Sequence, residues 1–248
     1  MIKSILITGS NRGLGLGLVK QLLSIPNPPD KIIATCRNLE NAKELREIAN
    51  KHKNVHILLL DVTDFNSYDD FKRKLENILQ DDGLNVLFNN AGTYPRVTKL
   101  ELLNSSHLVN AFVTNTVAPI MLTKTLVPLL KTAAQKNSDK PIGSERAAII
   151  NMSSILASIS ENSSEGLYPY KCSKAALNMA TKTLSIELKE DNIMAICLHP
   201  GWVKTDMGGP NARLDIEPSV KGIVDLILSV NSEHNGGFYQ YDGKQLPW

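Results

Sequence analysis

Thr8-Gly9-Ser10-Asn11-Arg12-Gly13-Leu14-Gly15 is the stretch that decides the fold. It closes the apolar run Ser4 to Thr8 and passes directly into a helical pattern. Glycines there permit a tight turn and let backbone N–H groups and the positive helix end approach a pyrophosphate. The spacing is G-x-x-x-G-x-G, because Leu18 stands where the G-x-G-x-x-G pattern has its third glycine. For this motif alone, a glycine-rich turn without a ligand remains an alternative.

Outward from this turn, short apolar runs alternate with amphipathic stretches. The runs are continuous and rich in β-branched residues, which is typical of strands buried on both faces of a parallel sheet. We therefore predict a doubly wound α/β (Rossmann) fold with a mostly parallel seven-stranded sheet, helices on both faces, and one domain over residues 1–248. The predicted strands are Ser4 to Thr8, Lys31 to Cys36, Val55 to Leu60, Val86 to Phe88, Ala147 to Met152, Ile193 to Leu198 and Gly237 to Tyr241. The predicted helices are Leu14 to Leu23, Asn41 to Asn50, Ser67 to Gln80, His107 to Lys131, Tyr170 to Lys189 and Ser219 to Ser229.

Composition and charge narrow the function classes. The 248 residues are 42% hydrophobic and 21% charged, which excludes disorder and low-complexity repeats. The 27 Lys and Arg residues are scattered among 25 Asp and Glu residues, so no basic stripe favours nucleic-acid binding. Three cysteines and five histidines show neither disulfide nor zinc spacing, and no metal is expected.

The termini and the apolar segments predict a cytoplasmic protein without a membrane partner. The first residues lack the apolar region and cleavage site of a signal peptide. The most apolar long segment, Ala111 to Leu130, is interrupted by Asn115, Lys124 and several threonines, which argues against a membrane span.

The end of the second predicted strand indicates which dinucleotide binds. A Rossmann unit specific for NAD has an Asp or Glu there for the ribose 2′-hydroxyl, whereas this chain has Cys36-Arg37-Asn38. The guanidinium of Arg37, assisted by Arg12, is suited to a 2′-phosphate, so NADP(H) is the predicted cofactor. Asp61-Val62 follows the third strand, where an adenine ring would rest, although an Asp there is also an ordinary helix cap.

Tyr170 and Lys174 are the candidate proton-transfer pair. They stand four residues apart at the start of a predicted helix, so both project from one face. A neighbouring ammonium stabilises a phenolate and brings a tyrosine toward its working range. Tyr168 is a weaker candidate, because Cys172 stands four residues beyond it.

Ser154 is the candidate group for a substrate carbonyl. It follows the fifth strand, at the carboxyl edge where open α/β sheets bind ligands, and its hydroxyl would stabilise charge on the carbonyl oxygen. Ser153, on the other side of the strand, is the second choice. His and Asp partners for a nucleophilic serine are not arranged near it, so a hydrolase is disfavoured.

These motifs in this order resemble the short-chain dehydrogenase/reductase family over essentially the whole chain. The resemblance rests on Thr8 to Gly15, Asn89-Asn90-Ala91-Gly92, Asn115, Ser154, Tyr170-x-x-x-Lys174 and Pro200-Gly201. Within the family, Gly201 to Met207 and the ending Leu246-Pro247-Trp248 look like the sniffer-type carbonyl reductases.

The resemblance implies a catalytic tetrad. Tyr170 would be the general acid in reduction, Lys174 its pKa partner and ribose anchor, Ser154 the carbonyl positioner, and Asn115 the holder of a water that links Lys174 to solvent. It also implies cofactor contacts or structural support from Gly9, Asn11, Arg12, Gly13, Leu14, Gly15, Arg37, Asp61, Val62, Asn89, Ala91, Gly92, Tyr170, Lys174, Pro200, Gly201, Val203 and Thr205.

The resulting expectation is a homodimeric NADPH-dependent carbonyl reductase that acts on a small aldehyde or ketone. An alcohol or steroid dehydrogenase that runs in oxidation, and a non-enzymatic NADP(H)-sensing regulator on the same fold, are the alternatives. Ser154 and Tyr170 are 16 residues apart, slightly more than is common in the family, with the polar segment Ser158 to Gly166 between them. Substrate recognition is expected from Thr93 to Val97, Ile155 to Tyr168 and Lys204 to Ile216, with Tyr94, Tyr168 and Trp202 as candidate lining residues.

Overall fold

The fold is built on one seven-stranded sheet. It comes from a computed structural model that describes residues 1–96 and 99–248. The strand order is β3-β2-β1-β4-β5-β6-β7, and every neighbouring pair is parallel. The strands are β1 Ser4–Ile7, β2 Lys31–Cys36, β3 Val55–Leu59, β4 Val86–Asn89, β5 Ala148–Met152, β6 Met194–His199 and β7 Phe238–Gln240. The predicted doubly wound fold is confirmed, with seven parallel strands in the described chain.

Helices cover both faces because successive strand residues point to opposite sides of the sheet. On one face, residues such as Ile5 and Ile7 pack with Leu18 and Val224. On the other face, Leu6 belongs to a separate cluster with the helices after β3 and β4. The helices are α1 Gly13–Ser24, α2 Lys43–Lys51, α3 Tyr68–Leu79, α4 Ser105–Phe112, α5 Ala118–Lys136, α6 Tyr168–Glu187 and α7 Ile216–Ser229.

One predicted helix, His107 to Lys131, is wrong as a continuous α-helix. It divides into α4 and α5 around a π-helical turn, Val113–Val117. Pro119 has no N–H to donate to the carbonyl of residue 115, so the α-helical hydrogen-bond ladder is broken there. The wider turn carries Asn115, which is fully buried.

The last residues of the chain lie along the outer edge of the sheet. Gln240 N donates to Lys244 O at 2.7 Å and Leu246 N donates to Phe238 O at 2.7 Å, an antiparallel pairing with β7. The Trp248 ring then stacks on Phe238, with ring centroids 5.6 Å apart. The sequence analysis does not anticipate this edge pairing.

One stretch of the described chain, Ser105–Lys136, is long and apolar enough to span a membrane by length and composition alone. Half of its most apolar window is buried in the fold, and core helices pass the same test. Within α5, Leu122, Leu126 and Leu130 pack against the sheet.

Candidate active site

A cavity of about 900 Å³ opens at the carboxyl edge of the sheet. The strand order reverses between β1 and β4, and open α/β sheets bind ligands at such a switch point. Fifteen of the predicted site residues line this cavity: Gly9, Asn11, Arg12, Gly13, Leu14, Gly15, Arg37, Asp61, Val62, Ala91, Gly92, Tyr170, Lys174, Pro200 and Thr205. Ser154, Asn115, Asn89, Gly201 and Val203 do not belong to its lining.

The glycine turn brings β1 and α1 into close contact. Gly9 and Gly13 have φ values of 69° and 56°, in the left-handed region that favours glycine. A Cβ on Gly15 would lie 2.3 Å from the Gly9 carbonyl oxygen, so a side chain there is excluded. The N-terminus of α1 has no side-chain cap, which leaves its first N–H groups for a ligand in the cavity.

The second and third strands end in a charged rim. Arg37 is exposed and lines the cavity with Asp61. Burial raises the pKa of Asp61, but hydrogen bonds from Thr63 and the Arg37 charge outweigh it and hold this pKa below its usual value. Arg12 faces the same cavity from the glycine turn, and its Nη1 is 2.7 Å from Asp206 Oδ2.

These residues fit a phosphorylated dinucleotide. The cradle of N–H groups at α1 suits a pyrophosphate, and the guanidinium groups of Arg12 and Arg37, which line the same cavity, suit a further phosphate. Asp206 is an unpredicted member of this site, because an Asp in a loop gives no signal that it pairs with Arg12. No cluster of three or more His, Cys, Asp or Glu side chains with metal-binding geometry lies in residues 1–96 and 99–248.

Tyr170 and Lys174 project from the first turns of α6 into the cavity. Tyr170 is 8% exposed, and burial raises the pKa of its phenol to about 12, although the Ser154 hydroxyl acts in the opposite direction. The Tyr94 ring meets the Tyr170 ring edge-on, with centroids 4.7 Å apart. Tyr170 is therefore protonated near neutral pH and holds a proton that it can donate.

Lys174 lines the cavity and is 4% exposed. Its Nζ donates to the Met152 carbonyl oxygen at 2.6 Å, and burial lowers its pKa to about 8. Gly92 separates this ammonium from Asn115, since a Cβ on Gly92 would lie 3.6 Å from Lys174 Nζ and 3.2 Å from Asn115 Oδ1. A glycine there leaves a gap between the two polar groups.

Asn115 fixes the loop after β4 to helix α6. Its Oδ1 accepts from Thr93 N at 2.8 Å, and its Nδ2 donates to Thr93 O at 2.9 Å and to Ser173 Oγ at 3.0 Å. Both polar groups of the side chain are therefore hydrogen-bonded, and Pro119 has no N–H to donate to the main-chain carbonyl of Asn115.

The two serines after β5 have different partners. Ser153 Oγ donates to Asn178 Oδ1 at 2.6 Å, which engages its hydroxyl away from the reacting groups. Ser154 Oγ accepts from Leu156 N at 3.2 Å and keeps its proton available for Tyr170 or a substrate oxygen. This geometry favours Ser154 as the carbonyl partner, although Ser153 rather than Ser154 lines the cavity.

Asn89 and Val203 lie behind the cavity wall. Asn89 is 3% exposed and donates from Nδ2 to Asn151 Oδ1 at 2.8 Å, which ties β4 to β5. Val203 is buried, and its carbonyl accepts from the Thr205 hydroxyl. Among the described residues, Asn90 is a lining residue that the sequence analysis omitted; its Nδ2 donates to Thr8 O at 2.8 Å and closes the glycine turn.

The predicted substrate loops are described except for Val97, which lies outside the described residues. Tyr94 contacts Tyr170, whereas Tyr168 is 40% exposed and Trp202 is 51% exposed. Trp202 Nε1 donates to Gly208 O at 2.9 Å, which folds the loop after β6 onto itself.

The sequence profile of the family described as short chain dehydrogenase matches residues 3–214. The solved structure of carbonyl reductase Sniffer of D. melanogaster is 53% identical, has a TM-score of 0.99, and aligns over 100% of each chain. The NADPH-bound carbonyl reductase from chicken fatty liver is 38% identical with a TM-score of 0.93, over 100% of this chain and 99% of that one. An uncharacterized oxidoreductase of Schizosaccharomyces pombe is 31% identical over 98% of this chain and 96% of its own.

Proposed function

Because the chain belongs to the short chain dehydrogenase family, we propose that it is an NADP(H)-dependent oxidoreductase that works as a carbonyl reductase. The proposed reaction converts a small aldehyde or ketone to an alcohol. The observation that carries the proposal is the position of Tyr170 and Lys174 in one cavity with a dinucleotide cradle. NADPH, when bound, supplies the hydride for the carbonyl carbon.

The cofactor assignment is supported by the cavity and by relatives. The first turn of α1 offers uncapped N–H groups, and Arg37 and Arg12 line the same cavity. The chicken carbonyl reductase was solved with NADPH bound. In this chain, the glycine turn would hold the pyrophosphate, Arg37 the 2′-phosphate and Lys174 the ribose hydroxyls.

The proton for the new alcohol comes from Tyr170. Its pKa of about 12 keeps the phenol protonated at neutral pH. The ammonium of Lys174, four residues further along the same helix, would stabilise the phenolate that remains. The Ser154 hydroxyl donates to the carbonyl oxygen as charge develops there. After Tyr170 has given its proton to the alkoxide, Lys174 passes a proton to the phenolate. A water held by the Asn115 carbonyl then returns a proton from solvent to the neutral Lys174 amine.

Replacement of Tyr170 by Phe tests the reaction. General acid catalysis by one positioned group contributes about 10²- to 10⁴-fold, so we expect Tyr170→Phe to lose at least that much of kcat and to keep its NADPH affinity. Tyr168→Phe is the matched control, because Tyr168 lies on the same helix and is 40% exposed.

Full turnover by Tyr170→Phe would refute the mechanism. NADPH binding without reduction or oxidation of any carbonyl or alcohol by the wild type would favour a regulator that senses NADP(H). Faster turnover with NADP⁺ and an alcohol would favour the dehydrogenase instead.

We further propose a homodimer formed by α4, α5 and α6. Apolar side chains stand exposed on two of these helices, α4 and α6: Val109 at 57%, Met179 at 68% and Ile186 at 67% exposure. Monomeric soluble proteins rarely leave such a group of apolar side chains uncovered, and a second copy of the chain would bury it. Light scattering that gives a mass of 27.3 kDa, the mass of one chain, would contradict the dimer.

A cytoplasmic location is also proposed. All three cysteines are free, and Cys36 and Cys197 are buried apart from each other in the sheet, which suits a reducing compartment. Fluorescence of a tagged chain in an organelle rather than in the cytoplasm would refute this location.

A further inference from the structure

The segment between the two candidate catalytic side chains is anchored in its first half by the end of the chain. Residues 155–166 connect Ser154 to the helix of Tyr170. Ser158 Oγ, Ser160 Oγ and Ser160 N donate to the main-chain oxygen of Trp248 at 3.1, 2.9 and 3.1 Å. Ile155, next to Ser154, packs on the cluster that contains Phe238 and Leu246.

Lys171 anchors the second half. Its Nζ donates to Asn162 Oδ1 at 2.8 Å, to Ser164 Oγ at 3.0 Å and to the Ser164 carbonyl oxygen. An ammonium has three N–H donors, so one stretch of the segment uses all of them. Asn162 and Ser164 are exposed, whereas Lys171 is 9% exposed, so the side chain reaches outward from the core to hold a surface loop.

Without its hydrogen bonds, the burial of Lys171 would cost free energy of folding. The residue lies in the first turns of α6, near the positive end of the helix macrodipole, and its three acceptors are all neutral groups. A buried cation in that place destabilises the fold unless its contacts offset the cost. The three hydrogen bonds to the segment are the contacts that do so.

The backbone between the segment held by Lys171 and helix α6 is strained. Leu167, the residue before α6, has a φ of 57°, in the left-handed region that side chains other than glycine avoid. Such a conformation persists only where surrounding contacts impose it, and it often occurs beside active sites. Lys171 contributes to this restraint twice, through its Nζ to Ser164 and through its N–H, which donates to Leu167 O at 2.9 Å.

We propose that Lys171 is a positioning residue: by holding residues 162–164 it fixes the strained entry to α6 and thereby the place of Tyr170 relative to Ser154. The proposal rests on the proposed function, since it concerns the geometry of proton donation. Lys171 does not touch the reacting atoms, and it acts through the segment and through Leu167.

The test replaces Lys171 by Met, which keeps most of the stem and removes all three donors. We expect kcat with NADPH and an aldehyde to fall about tenfold to a hundredfold, because small displacements of reacting groups have effects of that size. The NADPH Kd should stay unchanged, since residues 155–166 do not line the cavity. With NADPH deuterated at the transferred position, the isotope effect on kcat should rise, a change that lower stability alone does not produce.

Amide hydrogen exchange provides a readout that does not depend on turnover. Exchange should accelerate in residues 161–166 of Lys171→Met and stay slow in β5. Lys182→Met, on the same helix and far from the segment, is the matched control. It should leave kcat and the amide exchange of the segment unchanged. If Lys171→Met does not fold, the double variant Asn162→Ala and Ser164→Ala removes two of the acceptors instead. It should also lower kcat.

Two results would overturn the proposal: unchanged exchange in the segment, or accelerated exchange with a wild-type kcat. A wild type that reduces no carbonyl would refute the proposed function instead. In that case, kcat of the wild type and of Lys171→Met would be compared in alcohol oxidation, which uses the same Tyr170 and Ser154. That comparison would decide the role of Lys171.

Discussion

At the residue scale, Lys174 is a group that serves the reaction but lowers the stability of the folded protein. Its ammonium is buried, with the Met152 carbonyl as its hydrogen-bond acceptor in the described structure. Burial lowers its pKa from 10.5 to about 8, so the unfolded chain holds the proton more tightly than the folded one. Below pH 8 the folded protein therefore carries the full cost of the buried charge.

Replacement of Lys174 by Met should stabilise the ligand-free protein at pH 7 by up to about 3 kcal/mol, because it removes this buried charge. The gain should shrink as the pH rises from about 8 to 10.5, where the wild-type side chain loses its proton in the folded state first. Thermal unfolding of both proteins across this range measures the effect. A variant that is less stable than the wild type at pH 7 would contradict it, and reductase activity should be lost in either case.

Arg37 is predicted to set the cofactor preference. Arg37→Asp exchanges a guanidinium for a carboxylate beside Asp61, which repels a 2′-phosphate and accepts a hydrogen bond from a ribose 2′-hydroxyl. We expect NADPH affinity to fall by about tenfold or more, as one lost charge-assisted hydrogen bond implies. Fluorescence titrations with NADPH and NADH measure both affinities. Equal affinity of the wild type for the two cofactors would show that Arg37 does not discriminate.

At the element scale, the junction of β1 and α1 is a tight contact of the site. A Cβ at Gly15 would lie 2.3 Å from a backbone oxygen of Gly9, whereas a Cβ at Gly17 would lie 2.7 Å from the side chain of Ile216. A side chain moves more readily than a backbone carbonyl. The two glycines thus bring α1 close to different neighbours, and only the first is part of the nucleotide cradle.

Gly15→Ala should therefore be more damaging than Gly17→Ala. Overpacking usually costs about 1 to 3 kcal/mol, and we expect Gly17→Ala to lie in that range and Gly15→Ala above it. Gly15→Ala should also weaken NADPH binding, because the turn must move. Urea unfolding and NADPH titration of both variants check this. Equal losses of stability in the two variants would contradict the closer contact at Gly15.

Most of the elements could be predicted from the sequence because their signals are local. Continuous apolar runs such as Ile32 to Cys36 and the glycine turn give the parallel sheet and its switch point. The π-helical turn at Asn115 was missed because its cause, Pro119, also occurs at ordinary helix starts. The contacts of Asp206 and Lys171 depend on residues distant in sequence or on a loop without periodicity, so no local pattern reveals them.

At the scale of the whole molecule, the sheet's two faces differ in what they leave exposed. Helix α7 packs with α1 on one face of the sheet. Leu228, a residue of α7, is 47% exposed there. The exposed apolar residues Val109 of α4 and Met179 and Ile186 of α6 belong to the proposed dimer surface. The helix of Tyr170 thus belongs both to the site and to this surface.

Ile186→Glu should separate the proposed dimer, because it places a charge in an apolar contact. We expect the mass in light scattering to fall to that of one chain, with Leu228→Glu as a control that keeps the dimer. If Ile186→Glu leaves the mass of a dimer unchanged, the contact uses another surface.

The pairing of residues 244–246 with β7 has a further consequence for how copies of the protein meet. An open outer strand presents unpaired N–H and C=O groups that recruit strands of other molecules into aggregates. Here residues 244–246 occupy N–H and C=O groups of β7, so a strand of another molecule cannot pair with β7 at those groups. The β7 strand is thus protected from direct pairing with other molecules, on the side where the Phe238 and Trp248 rings stack.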